Sequence, residues 1–189
     1  MVRKISNLII FTGVILMLVS LGFRTHMKRA EAEKLKKFEE HISLYKEEPE
    51  VQRKLINLNK EGEEIAIIEI PSIDLRSVIT QGTSEENLKY NIGHFKHTRM
   101  PGEPGNFCIA GHNSNIYNEV LNNVHRLKKG DLIKIITAED EYSYYVKNMS
   151  AVNPDNVEVL NDVGDRKLMT IVTCTDKGDK RLIVTSEMD

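Results

Sequence analysis

Thr170-Ile171-Val172-Thr173-Cys174 is a β-branched run that ends in a thiol, and Arg181 follows seven residues later. Branched side chains suit a pleated surface, so the run reads as a strand. Asp176, Lys177, Gly178, Asp179 and Lys180 come next and read as an exposed turn. A thiol at a sheet rim, with an arginine returning on the next strand, is placed for chemistry. Gly111-His112 ends another strand-like run, and His112 precedes Cys174 by 62 residues. A thiol is a few per cent ionised at neutral pH, and a nearby cation raises that fraction, so Cys174 is a candidate nucleophile. His112 could be that cation, or the acid that protonates a leaving group. Arg181, always charged and rich in donors, could stabilise a developing oxyanion. Plainer uses exist for the same residues: a cysteine packed as a small hydrophobe, and a histidine in a loop. Spacing alone leaves both readings open.

The elements that must position these groups begin with an uncharged run. Ile5 to Phe23 contains 19 residues without a charge. As a helix it would extend roughly 28 Å, close to the hydrocarbon thickness of a bilayer. The run is longer than a usual signal-peptide core and no Ala-x-Ala site follows, so an uncleaved anchor is expected. Arg3 and Lys4 precede it, while Arg24, Lys28 and Arg29 follow, partly offset by Glu31 and Glu33. With so short a leading end, residues 1–4 are expected inside and the long remainder outside.

Residues 24–60 are rich in Lys, Glu, Arg and Leu. Ala30 to Tyr45 reads as a helix with Leu35, Phe38, Ile42 and Tyr45 at three- and four-residue spacing. It is expected to be mainly a solvated juxtamembrane stalk, with room for part of it to pack on the domain that begins near residue 61. A second short helix is expected over Val51 to Asn59.

From Glu64 the texture changes to short strands and turns. Ile65–Ile70 and Leu75–Thr80 read as strands, and Ser84 as the N-cap of a short helix. Pro101-Gly102-Glu103-Pro104-Gly105-Asn106 reads as a loop. Phe107–Ala110 is a strand leading to Gly111-His112, and Ile116–Leu127 reads as a helix. Leu132–Thr137 and Tyr142–Met149 form a hairpin after the Gly130-Asp131 turn. Leu168–Cys174 and Arg181–Thr185 are the last strands. Such a series implies a mainly-β barrel or sandwich with helices attached. Net charge is −2, which excludes a global field for nucleic acid, and two cysteines are too few for a disulfide scaffold.

Several of these words, in this order, resemble the sortase family. They are Gly93-His94, the Pro-Gly-x-x-Gly-Asn loop at 101–106, Ile109-Ala110-Gly111-His112, and Thr170-x-x-Thr173-Cys174 followed by Arg181. Ile171 stands where that family usually has Leu, a conservative departure. The resemblance covers about residues 64 to 187. It implies a closed eight-stranded β-barrel with short helices over residues 61–189, after a span at 5–23 and a stalk at 24–60. It also implies a cysteine transpeptidase on the outer face of a Gram-positive membrane. Cys174 would attack the Thr–Gly carbonyl of a Leu-Pro-x-Thr-Gly-like sorting signal, and His112 would protonate the leaving amine. Arg181, with the backbone N–H after Cys174, would bind the oxyanion or the substrate backbone. Ala110, Thr173 and Thr175 are assigned to substrate binding. Partners would be secreted proteins bearing the signal and an amine on a wall precursor or another protein. An N-terminal anchor and a short Cys174–Arg181 connection look most like class D, with class A second.

Cys108 is expected to pack within its strand, and His94 to make a structural hydrogen bond, with His97 nearby. Some relatives bind calcium near the position of Asp155, Glu158, Asp162 and Asp165. No fixed ligand spacing appears there, so a solvated loop and no cofactor are expected. Two other functions compete: an envelope thiol protease or amidase, and a non-catalytic tethered module. The hydrolases usually place Cys before His in the chain, and here His comes first.

Overall fold

The computed structural model describes residues 2–47, 60–113, 121–175 and 178–189, without the side chains of 2–6, 8, 9, 24, 27 and 28. Two compact units emerge, Met1–Lys34 and Leu35–Asp189. The first is the leading part of one long helix, α1 (Val2–Glu47). Its large apolar side chains between Ile10 and Phe23 are exposed. Among the described residues no helix is long and apolar enough to cross a membrane. The expected span begins at Ile5, so several of its side chains lie outside the description.

The second unit is a closed barrel of eight strands. They are β1 (Glu64–Ile70), β2 (Leu75–Gln81), β3 (Ile92–His94), β4 (Gly105–Ala110), β5 (Leu132–Ile136), β6 (Glu141–Val152), β7 (Lys167–Cys174) and β8 (Arg181–Met188). Their order around the barrel is β1-β2-β3-β4-β7-β8-β6-β5. β2–β3 and β4–β7 pair in parallel, and the other neighbours are antiparallel. The eight-stranded barrel implied by the resemblance is therefore what the chain forms. Its interior holds Ala66, Ile68 and Ile70 of β1, Phe107 and Ile109 of β4, Ile133 and Ile135 of β5, and Met169 and Ile171 of β7. That alternation follows from the two-residue period of a strand.

β1 is buried on both faces, which alternation alone does not give. Ile67 points away from the interior and packs with Val78 of β2 under Phe38 of α1, with Leu35, Ile42 and Ile136 around them. Phe38 is 2% exposed. Tyr45 donates to Glu139 at 2.9 Å, and Arg76 bonds both Glu39 and Glu69. The part of the expected stalk that packs on the domain begins at Leu35. The apolar positions at helical spacing are a stripe that covers the outer face of β1 and β2.

Ser84 caps helix α2 (Glu85–Leu88), its hydroxyl accepting from the Asn87 N–H. The expected helix at Ile116–Leu127 is not formed over its described part. There the chain makes a turn and a single 3-10 turn, Val124–Arg126, with Leu121 and Val124 buried. Its leading residues, 116–120, lie outside the described residues, as do the helix expected at Val51–Asn59 and Asp176-Lys177 of the last turn.

Candidate active site

β7 carries Cys174 to the barrel rim as its last residue. Met169 and Ile171 face the interior, so Thr170, Val172 and Cys174 lie on the outer face by alternation. β8 returns antiparallel, with Cys174 opposite Arg181. Directly opposed residues share a face, and Arg181 Nη1 lies 3.1 Å from Cys174 Sγ. The guanidinium thus donates to the sulfur and stays within reach of an oxygen bonded beside it.

His112 reaches this rim through the parallel β4–β7 pair. Ala110 is registered with Val172, so two more residues on each chain bring 112 alongside 174. Both neighbours of His112 are tied to β7. The Gly111 N–H donates to the Val172 carbonyl at 3.2 Å, and Thr173 Oγ1 donates to the Gly111 carbonyl at 2.9 Å. On the other side, Asn113 Nδ2 donates to the Cys174 carbonyl at 3.1 Å. Residue 112 is thus bracketed along the chain by two tethers to the strand that bears the thiol. A Cβ on Gly111 would lie 2.7 Å from Leu121, so glycine lets the chain turn here against the core.

The remaining candidates divide. Ala110 is at the end of β4, 8% exposed, on the outer face beside Val172. Thr173 is buried and occupied by Gly111. The expected use of the N–H after Cys174 is corrected: the Thr175 N–H donates to the Lys180 carbonyl at 3.0 Å. The β7–β8 ladder simply continues one pair past Cys174 and Arg181. Thr175 Oγ1 turns to Asp179 at 3.1 Å. That leaves the Arg181 guanidinium as the donor described on the Cys174 sulfur.

His94 makes the structural contacts expected of it. It is 1% exposed, with Nδ1 2.6 Å from Gln81 and Nε2 3.0 Å from the Arg99 carbonyl. Burial pulls its imidazole down to about 4, against an opposing pull from the Arg99 carbonyl and Glu103. His97 is exposed. Cys108 is fully buried, and burial pushes its thiol up to about 12. Among the described residues no three His, Cys, Asp or Glu side chains are grouped to hold a metal ion. Asp162 is instead engaged by Arg99, which with the Asn106 N–H holds its carboxyl below the usual range.

A model of the sortase domain matches residues 68–189. The chain belongs to the sortase family. Sortase A of Bacillus anthracis is 34% identical over 126 residues, covering 66% of this chain and 59% of that protein. Sortase D of Bacillus subtilis (strain 168) is 25% identical over 113 residues, covering 60% of this chain and 55% of that protein. The chain thus spans under two thirds of the length of these curated relatives. A solved Clostridium perfringens Sortase D5 transpeptidase matches with a TM-score of 0.75 and 42% identity, covering 84% of this chain and 98% of that one. Sortase A from Corynebacterium diphtheriae matches with a TM-score of 0.65 and 27% identity, over 69% of this chain and 63% of that one.

In this sortase the sequence reading missed Asn113. An asparagine after Gly-His has no motif of its own, and its role is a bond to a main-chain oxygen 61 residues away. It also missed the tether from Thr173 to Gly111, which is invisible until β4 and β7 are known to be neighbours.

Proposed function

We propose that the chain is a membrane-anchored cysteine transpeptidase of class D type that acts on a Leu-Pro-x-Thr-Gly-like sorting signal. The observation that carries the reading is the 3.1 Å contact of Arg181 Nη1 with Cys174 Sγ, on a rim where His112 is bracketed. The thiolate of Cys174 attacks the carbonyl carbon of the signal's threonine. The electron pair moves to the carbonyl oxygen, which Arg181 holds by donation. As the intermediate collapses, the C–N bond to glycine breaks and the His112 imidazolium gives its proton to the leaving amine. A thioester on Cys174 remains. An incoming amine attacks it, passes a proton to the neutral imidazole, and releases the thiolate with a new amide bond. Every step needs only the thiol, the imidazole and the guanidinium.

Anchoring is part of the same reading. Ile5 to Phe23 carries no charge, and its described large apolar side chains face outward from a continuous helix. The catalytic unit would stand outside the cell, where sorting signals and wall amines meet it. The resemblance in sequence and fold to the Sortase D5 transpeptidase supports the class.

The full chain in detergent micelles, given a labelled Leu-Pro-x-Thr-Gly peptide and a short oligoglycine amine, tests the reading by mass spectrometry. A thioester on Cys174 and an amide-transfer product are expected. Release of free acid even with saturating amine would indicate a hydrolase instead. Absence of both products across a panel of related peptides would leave a binding module.

A further inference from the structure

The Pro-Gly-x-x-Gly-Asn motif takes no part in the steps above; its last two residues were expected in a loop but open β4, and Asn106 is among the most heavily bonded polar side chains described. Asn106 is 2% exposed and uses both ends of its amide. Its Oδ1 accepts from Thr170 Oγ1 at 2.9 Å, and Thr170 opens the run that ends at Cys174. Its Nδ2 donates to the carbonyls of Val159 and Asn161 at 3.1 and 3.3 Å. Its backbone N–H donates to Asp162 Oδ1 at 2.9 Å. Arg99 closes on Asp162 Oδ2 with Nε at 2.9 Å and Nη2 at 2.8 Å. Gly105 has φ +118°, and a Cβ there would lie 2.5 Å from Asp162 Oδ1 and 2.6 Å from Arg99 Cγ. Glycine is what lets the segment around Asp162 approach so closely.

That segment is the crossover between β6 and β7, residues 153–166. It leaves β6 at Val152, which pairs with Arg181, the partner of Cys174. It rejoins the barrel at Lys167, which pairs with Gly105 at the far end of β7. The crossover therefore runs the length of the barrel beside the outer face of β4 and β7. At mid-length, the Leu160 carbonyl lies 3.7 Å from Cys108 Sγ, and Val157 is 67% exposed. Beyond it, toward the rim, the outer face continues as Ala110 and Val172 to Cys174.

We infer that Asn106, seconded by Asp162, is a positioning residue that holds the 153–166 crossover as one wall of the groove leading to Cys174. It thereby sets the affinity for the sorting peptide and not the chemistry of the thiol. The inference rests on the transpeptidase reading. The amide is suited to the task because hydroxyl and carbonyls approach its two different ends. Asn106→Asp keeps the acceptor for Thr170 and sets a second acceptor against two carbonyls, so it should release the crossover while leaving β4 on β7.

The test uses the full chain in detergent micelles, with peptide kinetics, alkylation of Cys174 by iodoacetamide, and amide hydrogen exchange across 153–166. For Asn106→Asp, KM should rise about ten-fold while kcat and the alkylation rate stay within about two-fold. Exchange should quicken over 157–162 and not in the barrel strands. Asp162→Ala, at the surface, should shift KM the same way by about three-fold, and it decides the matter if thermal melting shows that Asn106→Asp does not fold. An active wild type with unmoved KM in the folded variants overturns the inference alone. Matched losses in kcat and alkylation also overturn it, because the amide would then act on the thiol. A wild type that turns over no peptide of the panel overturns the transpeptidase reading and this inference with it.

Discussion

The barrel contains two cysteine–histidine pairs, and they differ in burial and in whether a cation stands beside the sulfur. Cys108 and His94 sit on adjacent strands, β4 and β3, joined through Thr98. The Thr98 hydroxyl lies 3.1 Å from His94 Nε2 and accepts the Cys108 N–H at 3.2 Å. Both are buried, the thiol pushed up to about 12 and the imidazole pulled down to about 4. Between those limits both groups are neutral, so no thiolate–imidazolium pair forms. Cys174 and His112 use the same residue types at a rim that is half-buried, with a guanidinium 3.1 Å from the sulfur. Burial without a cation suits a cysteine to packing, while partial exposure beside a cation suits it to nucleophilic attack.

The comparison breaks most directly at the sulfurs. Cys174→Ala should abolish the acyl-enzyme and lower kcat/KM by at least about 10⁴-fold, whereas Cys108→Ala should stay within about three-fold, both read by peptide turnover and intact mass. Comparable losses from the two variants would end the contrast. His112→Ala should cost about 10²–10⁴-fold in kcat. Arg181→Lys should lose about 10²–10³-fold, since an ammonium lacks the planar fork that can meet both sulfur and oxyanion; near-normal kinetics would remove that role. The thiols can also be compared without substrate. Iodoacetamide at neutral pH should label Cys174 and spare Cys108 by about 100-fold or more until denaturant is added, as counted on separated peptides.

The smallest effect is on stability and concerns His94. Its folded value lies below the ordinary 6.5, so from pH 6.5 downward the unfolded chain binds a proton that the folded one refuses. Stability held above pH 6.5 should therefore fall between 6.5 and about 4, by on the order of 3 kcal/mol from this group alone. The facing groups are few: Gln81 and Thr98 are neutral, the Arg99 carbonyl accepts, and Glu103 only partly opposes the shift. NMR of the imidazole carbons should show no titration of His94 above pH 5. A midpoint near 6.5 would show that the buried pair is not held neutral.

Much of the fold was legible because it is local. The Gly130-Asp131 turn marked the hairpin of β5 and β6, the β-branched run at 170–174 marked β7, and β1, β2 and β8 were read as strands between turns. Ser84 announced its cap. The described part of the Ile116–Leu127 segment, from Leu121, was misread as helix because Leu121 and Val124 have helical spacing but serve a turn that packs on the core. The stripe at Leu35, Phe38, Ile42 and Tyr45 was read at the right positions. What covers it could not be read, since Ile67 and Val78 are a strand's outward residues in a distant part of the chain.

By itself the sequence determined the chemical vocabulary of the site: a thiol ending one strand, an arginine opening the next, and a histidine ending a third. Those are fixed by residue type and by periods of a few residues. Barrel closure decided the rest. It put 112 beside 174 through the parallel β4–β7 register, gave the Thr175 N–H to Lys180, and aimed Asn113 and Asn106 at main-chain oxygens. Every peptide unit offers the same carbonyl whatever its side chain. A bond to such an oxygen leaves no mark on the partner's residue type, and only the folded chain shows where it is.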